Sequence, residues 1–157
     1  SSVPIVMVGV GDPVGSGLVA SLSRPGGNVT GVANNAAEVT AKHVELVPDL
    51  VPGARLVAIL RNPGNAVVSR QMPFVDKAAG ALSLQVQTFD AARPADFEPV
   101  FASMAKAGAS AVLILGDPML TAHSPELARL DGVGSGTARS RRANAMLLAR
   151  LALAKRP

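Results

Sequence analysis

The sequence predicts an α/β protein: an open parallel β-sheet with helices on both faces. Three observations carry this. Four apolar runs rich in Val, Ile and Leu, "PIVMVG" (4–9), "RLVAIL" (55–60), "LQVQTF" (84–89) and "SAVLIL" (110–115), show little alternation and read as strands buried on both faces. A shorter run, "NVTGVA" (28–33), falls between the first two, and the positions Val32, Ile59, Val86 and Leu113 lie 27 residues apart, which leaves room for one crossover helix between strands. The intervening segments carry helical rather than strand periodicity.

Taken in order, "AAEVTAKHVELVPDLV" (36–51) puts Val39, His43, Leu46, Val47, Leu50 and Val51 on one helical face, with Pro48 expected to kink or shorten the helix. "VVSRQMPFVDKAAGAL" (67–82) carries a second interruption at Pro73. "ADFEPVFASMAKAG" (95–108) begins after Pro94, gathers Phe97, Val100, Phe101 and Met104 on one side, and stops at Gly108. Side-chain identities do not repeat at the strand period, so a solenoid is excluded. From Asp131 the pattern changes: "DGVGSGT" has linker composition, and an Ala-, Leu- and Arg-rich tail follows.

A chain of 157 residues is one domain by length and can bury a real core. That core must be aliphatic, because the chain holds four Phe and no Trp or Tyr. The absence of Cys removes disulfides, thiolate metal sites and thiol nucleophiles. No apolar run reaches the roughly 18 residues a membrane-spanning helix needs. Net charge is +4, unevenly placed: residues 1–130 hold nine Lys/Arg against ten Asp/Glu, and residues 131–157 hold six against Asp131 alone. The body therefore offers no cationic face for a phosphate backbone and few stacking platforms, so nucleic acid is not expected as its partner.

Three loops share one form. Gly11-Asp12-Pro13, Asn62-Pro63 and Gly116-Asp117-Pro118 each follow a predicted strand, and Asp or Asn before Pro is an N-cap followed by the first helical residue. Each is expected to start a helix. In an open parallel sheet, ligands sit beyond the carboxyl ends of the strands. Asn62, Asn65, Ser69, Asp117, Thr121 and Ser124 would line that edge with short polar side chains, suited to holding a small zwitterion. Asp12 or Asp117 would meet an ammonium group.

"VGVGDPVGSG" (8–17) also invites comparison with a dinucleotide loop, but the third glycine of G-x-G-x-x-G falls one place late. Asp12 would face a pyrophosphate, Pro13 removes a cradling N–H, and no Walker sequence occurs. A nucleotide-binding enzyme domain using the Gly9–Gly17 loop stays as the alternative function. No catalytic constellation supports an enzyme, and no acidic or His cluster has metal spacing. No cofactor is implied. His43, on an apolar helix face, is expected to be packed or at the surface; His123, within two turns of Asp117, is a candidate wall residue.

Two longer blocks, "VPIVMVGVGDPVGSGLVASLSRPGGNVTGV" and "HVELVPDLVPGARLVAILRNPGN", together with "SAVLILGDPMLTAHS", resemble the substrate-binding proteins of ABC transporters, in the branch linked to amino-acid uptake. The resemblance extends over residues 3–130. It implies two Rossmann-like lobes closing over a ligand, no catalysis, a permease partner and a periplasmic or membrane-anchored extracytoplasmic location. On this basis residues 1–30 end the first lobe and make the hinge crossing at "PGGNVTGV". Residues 31–130 build part of the second lobe, and 131–157 form the basic tail. The resemblance matches Asp12, Asn62, Asn65 and Asp117 to family loop positions. It sets the loop holding Asp12 and Pro13 on one wall of the cleft, facing the loops Asn62–Ser69 and Gly116–Ser124, the latter including Thr121.

The chain departs from this pattern at both ends. It starts Ser-Ser without an upstream lobe or leader, as a fragment or a processed chain would, and a truncated form is expected. The tail reads either as the product of a frameshift in GC-rich DNA or as a basic amphipathic helix. In the helix, Leu147, Leu148 and Leu151 oppose Arg139, Arg142 and Arg150. A third reading is an interaction domain, a homodimer covering the sheet edge left open by the missing lobe.

Overall fold

The computed structural model describes residues 3–34 and 36–130, and the backbone of 145–149. The five expected strands all form, each within a residue or so of its apolar run: β1 (Ile5–Val10), β2 (Val29–Ala33), β3 (Leu56–Arg61), β4 (Gln85–Asp90) and β5 (Ala111–Leu115). Between them lie α1 (Ala36–Glu45), α2 (Val47–Leu50), α3 (Ala66–Ala81) and α4 (Phe97–Lys106), the last entered through a 3-10 turn at Pro94–Asp96. After β5 come α5 (Pro118–Ala122), α6 (Ser124–Leu130) and β6 (Ala145–Ala149).

These strands form two sheets. β1 pairs with β2 in parallel, while a second sheet has the order β4-β3-β5-β6, parallel except for β6. The second sheet carries the α/β core, and strand alternation sorts its residues. Val57, Ile59, Ala111, Leu113 and Leu115 face one side, where Val44, Val47, Val68, Val75, Ala79 and Leu84 from α1 to α3 and the turn before β4 cover them. Ala58, Leu60, Val112 and Ile114 face the other, against Phe97, Phe101 and Met104 of α4 and Leu120 and Leu127 beyond β5. β3 and β5 are thus apolar at almost every position because both of their faces are dry.

Two of the four runs expected to be buried are not. Val6, Val8 and Val32 share one face of the β1–β2 pair and are largely exposed, with Val8 at 82%. Two strands alone cannot cover their own faces. β4 lies at the edge of its sheet, with Val86 and Phe89 half-buried and its other residues exposed.

The prolines act differently from one another. Pro48, which has no N–H for the α1 ladder, ends α1 at Glu45 and leaves the single-turn α2 behind it, as expected. Pro73, expected to interrupt its helix, lies inside a continuous α3. The helix is held on both sides of it by Val68, Gln71, Val75 and Ala79, all buried, so packing overrides the one lost hydrogen bond. Across α1 and α3 the buried Thr40 hydroxyl lies 2.7 Å from the Ala36 carbonyl and 2.8 Å from Gln71 Oε1, donating a proton shared between them. His43 is buried on the same helix, and desolvation pulls its pKa below the ordinary 6.5.

The amphipathic-helix reading of the tail is corrected where it can be seen. Ala145–Ala149 is a strand, with Leu147 opposite Leu113 in an antiparallel ladder. The edge of β5 otherwise presents a row of unpaired N–H and C=O groups, and satisfying them outweighs the helix preference of Ala and Leu. Residues 131–144 and 150–157, with Arg139, Arg142, Arg150 and Leu151, lie outside the described residues.

Leu113→Ala is expected to cost about 2–5 kcal/mol of unfolding free energy, while Val8→Thr stays within about 0.5 kcal/mol, measured by urea denaturation. Equal losses would mean that β1 is as buried as β5. His43 favours the neutral form in the folded state, so its contribution is present above pH 6.5 and lost as pH falls below it. The urea midpoint should fall between about pH 7.5 and 5.5 in the wild type and fall less in His43→Gln. An equal fall in both would remove His43 as the cause.

Candidate functional site

The carboxyl ends of β3 and β5 are tied together by one buried carboxylate. Asp117, 4% exposed, stands at the N-cap of α5 in extended conformation, with Pro118 as the first helical residue. Its Oδ1 accepts from the backbone N–H groups of Met119 (2.9 Å) and Leu120 (3.2 Å). Its Oδ2 accepts from the side-chain amides of Asn62 (3.1 Å) and Asn65 (3.0 Å) on the β3–α3 loop. The two asparagines are themselves fixed by the turn: Asn62 Oδ1 accepts from Gly64 N–H at 3.0 Å, and Asn65 Oδ1 caps α3 through Val67 N–H at 3.1 Å. Such Asx turns and caps form readily from Asn because its short side chain reaches its own backbone two residues on. The carboxylate's desolvation is offset by four hydrogen bonds.

Only one of the three expected helix starts therefore has the expected form. Asp117-Pro118 is an N-cap and first helical residue; at Asn62-Pro63 the cap moves three residues on, to Asn65. At Asp12-Pro13 no helix follows. Residues 13–17 form successive turns in which Ser16 N–H donates to the Asp12 carbonyl, and Leu18 and Val19 N–H donate to the carbonyl of the buried Pro13. With three glycines and a serine within seven residues, the segment lacks a helix-forming run to propagate what the cap begins.

The β1 loop lies against the start of α3. A methyl group on Gly11 would stand 3.2 Å from Val67 Cγ1 and 3.6 Å from Ala36 Cβ, so glycine here permits the approach. Next to it Asp12 accepts from Gly15 N–H through Oδ1 at 2.8 Å, and its Oδ2 stands 3.6 Å from Arg70 Nη1 on the second turn of α3. A side chain at position 15 would overlap Asp12 Oδ2, so Gly15 makes room for the carboxylate. Ser69, beside Arg70, and Thr121, at the end of α5, are exposed.

The structure thus brings Asp12 to the α3 end of the loop cluster, and joins Asn62, Asn65 and Asp117 directly. Two further expected lining groups point elsewhere. His123 Nδ1 lies 2.9 Å from the Met119 carbonyl and its ring packs edge-on against Phe97 at 5.6 Å, on the α4 side. Ser124 Oγ donates to the Thr121 carbonyl at 2.6 Å. Arg70 was not legible as a site residue: within "VVSRQM" it reads as a solvent-facing helix position, and only its approach to Asp12, 58 positions earlier, distinguishes it. Nearby, Arg61 and Asp90 close the ends of β3 and β4 at 2.6 Å, and that hydrogen bond holds the guanidinium pKa above its usual range. Among the described residues, no group of three His, Cys, Asp or Glu side chains could hold a metal ion.

The model of a family described as ABC transporter substrate binding protein matches residues 1–128. The chain belongs to that family. Over 60 residues this substrate-binding-protein chain is 43% identical to a tyrosine-binding protein of Clostridioides difficile, a match taking in 38% of the chain and 17% of that protein. Among solved structures, it resembles the ABC domain in complex with L-Trp from Streptococcus pneumonia. The TM-score is 0.69 at 26% identity, over 82% of this chain and 43% of that one. The ligand-free, open structure of a substrate binding protein with adhesive properties from Clostridium difficile is similar in fold, with a TM-score of 0.62 at 21% identity over the same shares. The chain therefore spans less than half the length of these solved relatives.

Asp117→Asn keeps the cap acceptor but sets a third amide N–H against those of Asn62 and Asn65. Unfolding free energy should fall by about 1–3 kcal/mol, with hydrogen-exchange protection lost at Met119 and Leu120 before the β5 core. A variant as stable as the wild type would show that the two loops are held apart from this carboxylate.

Proposed function

We propose that this chain forms part of the solute-binding component of an ABC importer and takes a small amino acid at the loop edge formed by residues 11–17, 62–70 and 116–121. The observation that carries the reading is the loop cluster itself. Asp117 holds the β3 and β5 loops in one fixed arrangement, and the β1 loop lies against the start of α3 beside it. Family membership and the L-Trp and tyrosine named for two relatives support an amino acid as the ligand. Asn62 and Asn65 carry the polar wall, with Ser69 and Thr121 at its exposed margin, Pro13 supporting the β1 loop and Asp12 facing them across the edge. Asp117, with both oxygens engaged, sets the positions of the other groups.

The protein on this reading is a carrier rather than an enzyme. It acts with a permease, on the extracytoplasmic side of a membrane, and contributes its ligand-holding edge to a cleft between two lobes. Because β2 pairs with β1 and not with the larger sheet, both strands stay on the first-lobe side in this reading. The boundary expected at residue 30 moves to after Ala33, with α1 onward in the second lobe. The dinucleotide alternative finds little support in the geometry. No helix N-terminus follows the Gly9–Gly17 loop, and the Gly15 and Ser16 N–H groups are already donated to Asp12.

Thermal unfolding with L-tryptophan, L-tyrosine, other amino acids and NAD separates the two. Saturation at 100 times Kd stabilises by about 2.7 kcal/mol, so an amino acid should raise the melting temperature by several degrees while NAD leaves it unchanged. A shift with NAD and none with any amino acid would reverse the assignment.

A further inference from the structure

Four ion pairs occur among the described residues, and three are local to a helix, a turn or two adjacent strand ends: Lys42–Glu45, Arg93–Asp96 and Arg61–Asp90. The fourth, Asp12–Arg70, joins the β1 loop of one sheet to the helix that follows β3 of the other. Its geometry differs from that of a closed pair. At 3.6 Å the guanidinium nitrogen is beyond the roughly 2.7–2.9 Å of a charge-assisted hydrogen bond, and both side chains keep about two-fifths of their surface in water. Asp12 is held from behind by Gly15 N–H, on the oxygen that does not face Arg70. Among the described residues Asp12 is the one charged partner of Arg70.

An amino acid brings two opposite charges to the edge, and each needs a counterpart. The groups around Asp117 cannot supply them: the Asn62 and Asn65 amides are neutral, and both Asp117 oxygens are filled. Arg61 is committed to Asp90. We infer that Asp12 and Arg70 are the charge clamp of the ligand site, with Arg70 receiving the α-carboxylate of an amino acid and Asp12 its α-ammonium, and that their mutual contact is the unliganded resting state of the pair. The inference rests on the solute-binding reading above. A planar guanidinium presents two parallel N–H donors to a carboxylate, a geometry that a single loose contact leaves unused. The close approach at Gly11 and the space at Gly15 serve this arrangement by bringing Asp12 within reach of α3 and leaving its outer oxygen bare. Arg70 thereby becomes a residue that sets specificity for the zwitterion rather than for the side chain.

The chain has neither Trp nor Tyr, so the fluorescence of L-tryptophan reports its own binding against a dark protein. Wild type, Arg70→Gln, Arg70→Lys and Asp12→Asn would be titrated with L-tryptophan, tryptamine, which lacks the carboxylate, and 3-indolepropionate, which lacks the ammonium. Losing a hydrogen-bonded charge partner should weaken L-tryptophan binding in Arg70→Gln by about 10- to 100-fold, leave tryptamine binding unchanged, and be partly restored in Arg70→Lys. Asp12→Asn should weaken L-tryptophan and tryptamine and spare 3-indolepropionate. Unchanged melting temperatures would show that the exposed pair is not needed for folding. Wild-type binding retained in full by Arg70→Gln would overturn the clamp and leave the solute-binding reading standing. Wild type binding neither L-tryptophan nor L-tyrosine would overturn both.

Discussion

The buried carboxylate of Asp117 is the constraint on which the loop cluster at the ends of β3 and β5 depends. A polar group in so dry a position is tolerated only when its lone pairs are filled, and here they are filled from two directions. One oxygen takes the first free N–H groups of α5, and the other takes the amides of Asn62 and Asn65. The same contact therefore begins one helix, locates the cap of another, and sets the distance between the loops that leave β3 and β5.

The placement of that carboxylate follows from the sheet beneath it. β3 and β5 are adjacent and parallel, so their carboxyl ends open on the same side and their loops meet there. Both faces of the strands are covered, one by α1 to α3 and the other by α4 and the short helices after β5. This anchors the strand ends firmly enough for side chains only two or three bonds long to meet across the gap. β1 and β2 are placed differently. Their apolar face stays open to water, and they meet the larger sheet's helices through Gly11 beside Val67 and Ala36, and through the loose pair of Asp12 and Arg70. The strand pair thus meets the larger, fully packed sheet at its loop and by a loose ion pair.

Much of this was legible in advance, and the failures have physical causes. Runs of Val, Ile and Leu at a regular spacing marked all five strands, because a parallel strand must be apolar on both faces or be short of neighbours. They could not tell which case applied, so β1 was expected to be buried like β5. Asp or Asn before Pro marked three loops correctly and three helix starts too freely. The cap motif supplies the first hydrogen bonds, but a helix also needs residues able to continue it, and "VGSG" after Asp12-Pro13 cannot. Pro73 shows the opposite case, where buried side chains on both sides of it keep a helix whole despite the local rule.

The amino-acid sequence by itself determined the class of fold, the identity and order of the strands, and the loops that carry the candidate site, with the family resemblance already present in their blocks. These are properties of local composition and spacing, written along the chain. The tertiary structure alone decided that β2 pairs with β1 instead of joining the larger sheet, that residues 145–149 pair with the free edge of β5, and that Asp117 is filled by two asparagines more than fifty residues away. It alone set Arg70 beside Asp12. Contacts between residues so distant depend on how helices and strands pack in three dimensions, and no short-range pattern of residue types encodes that distance.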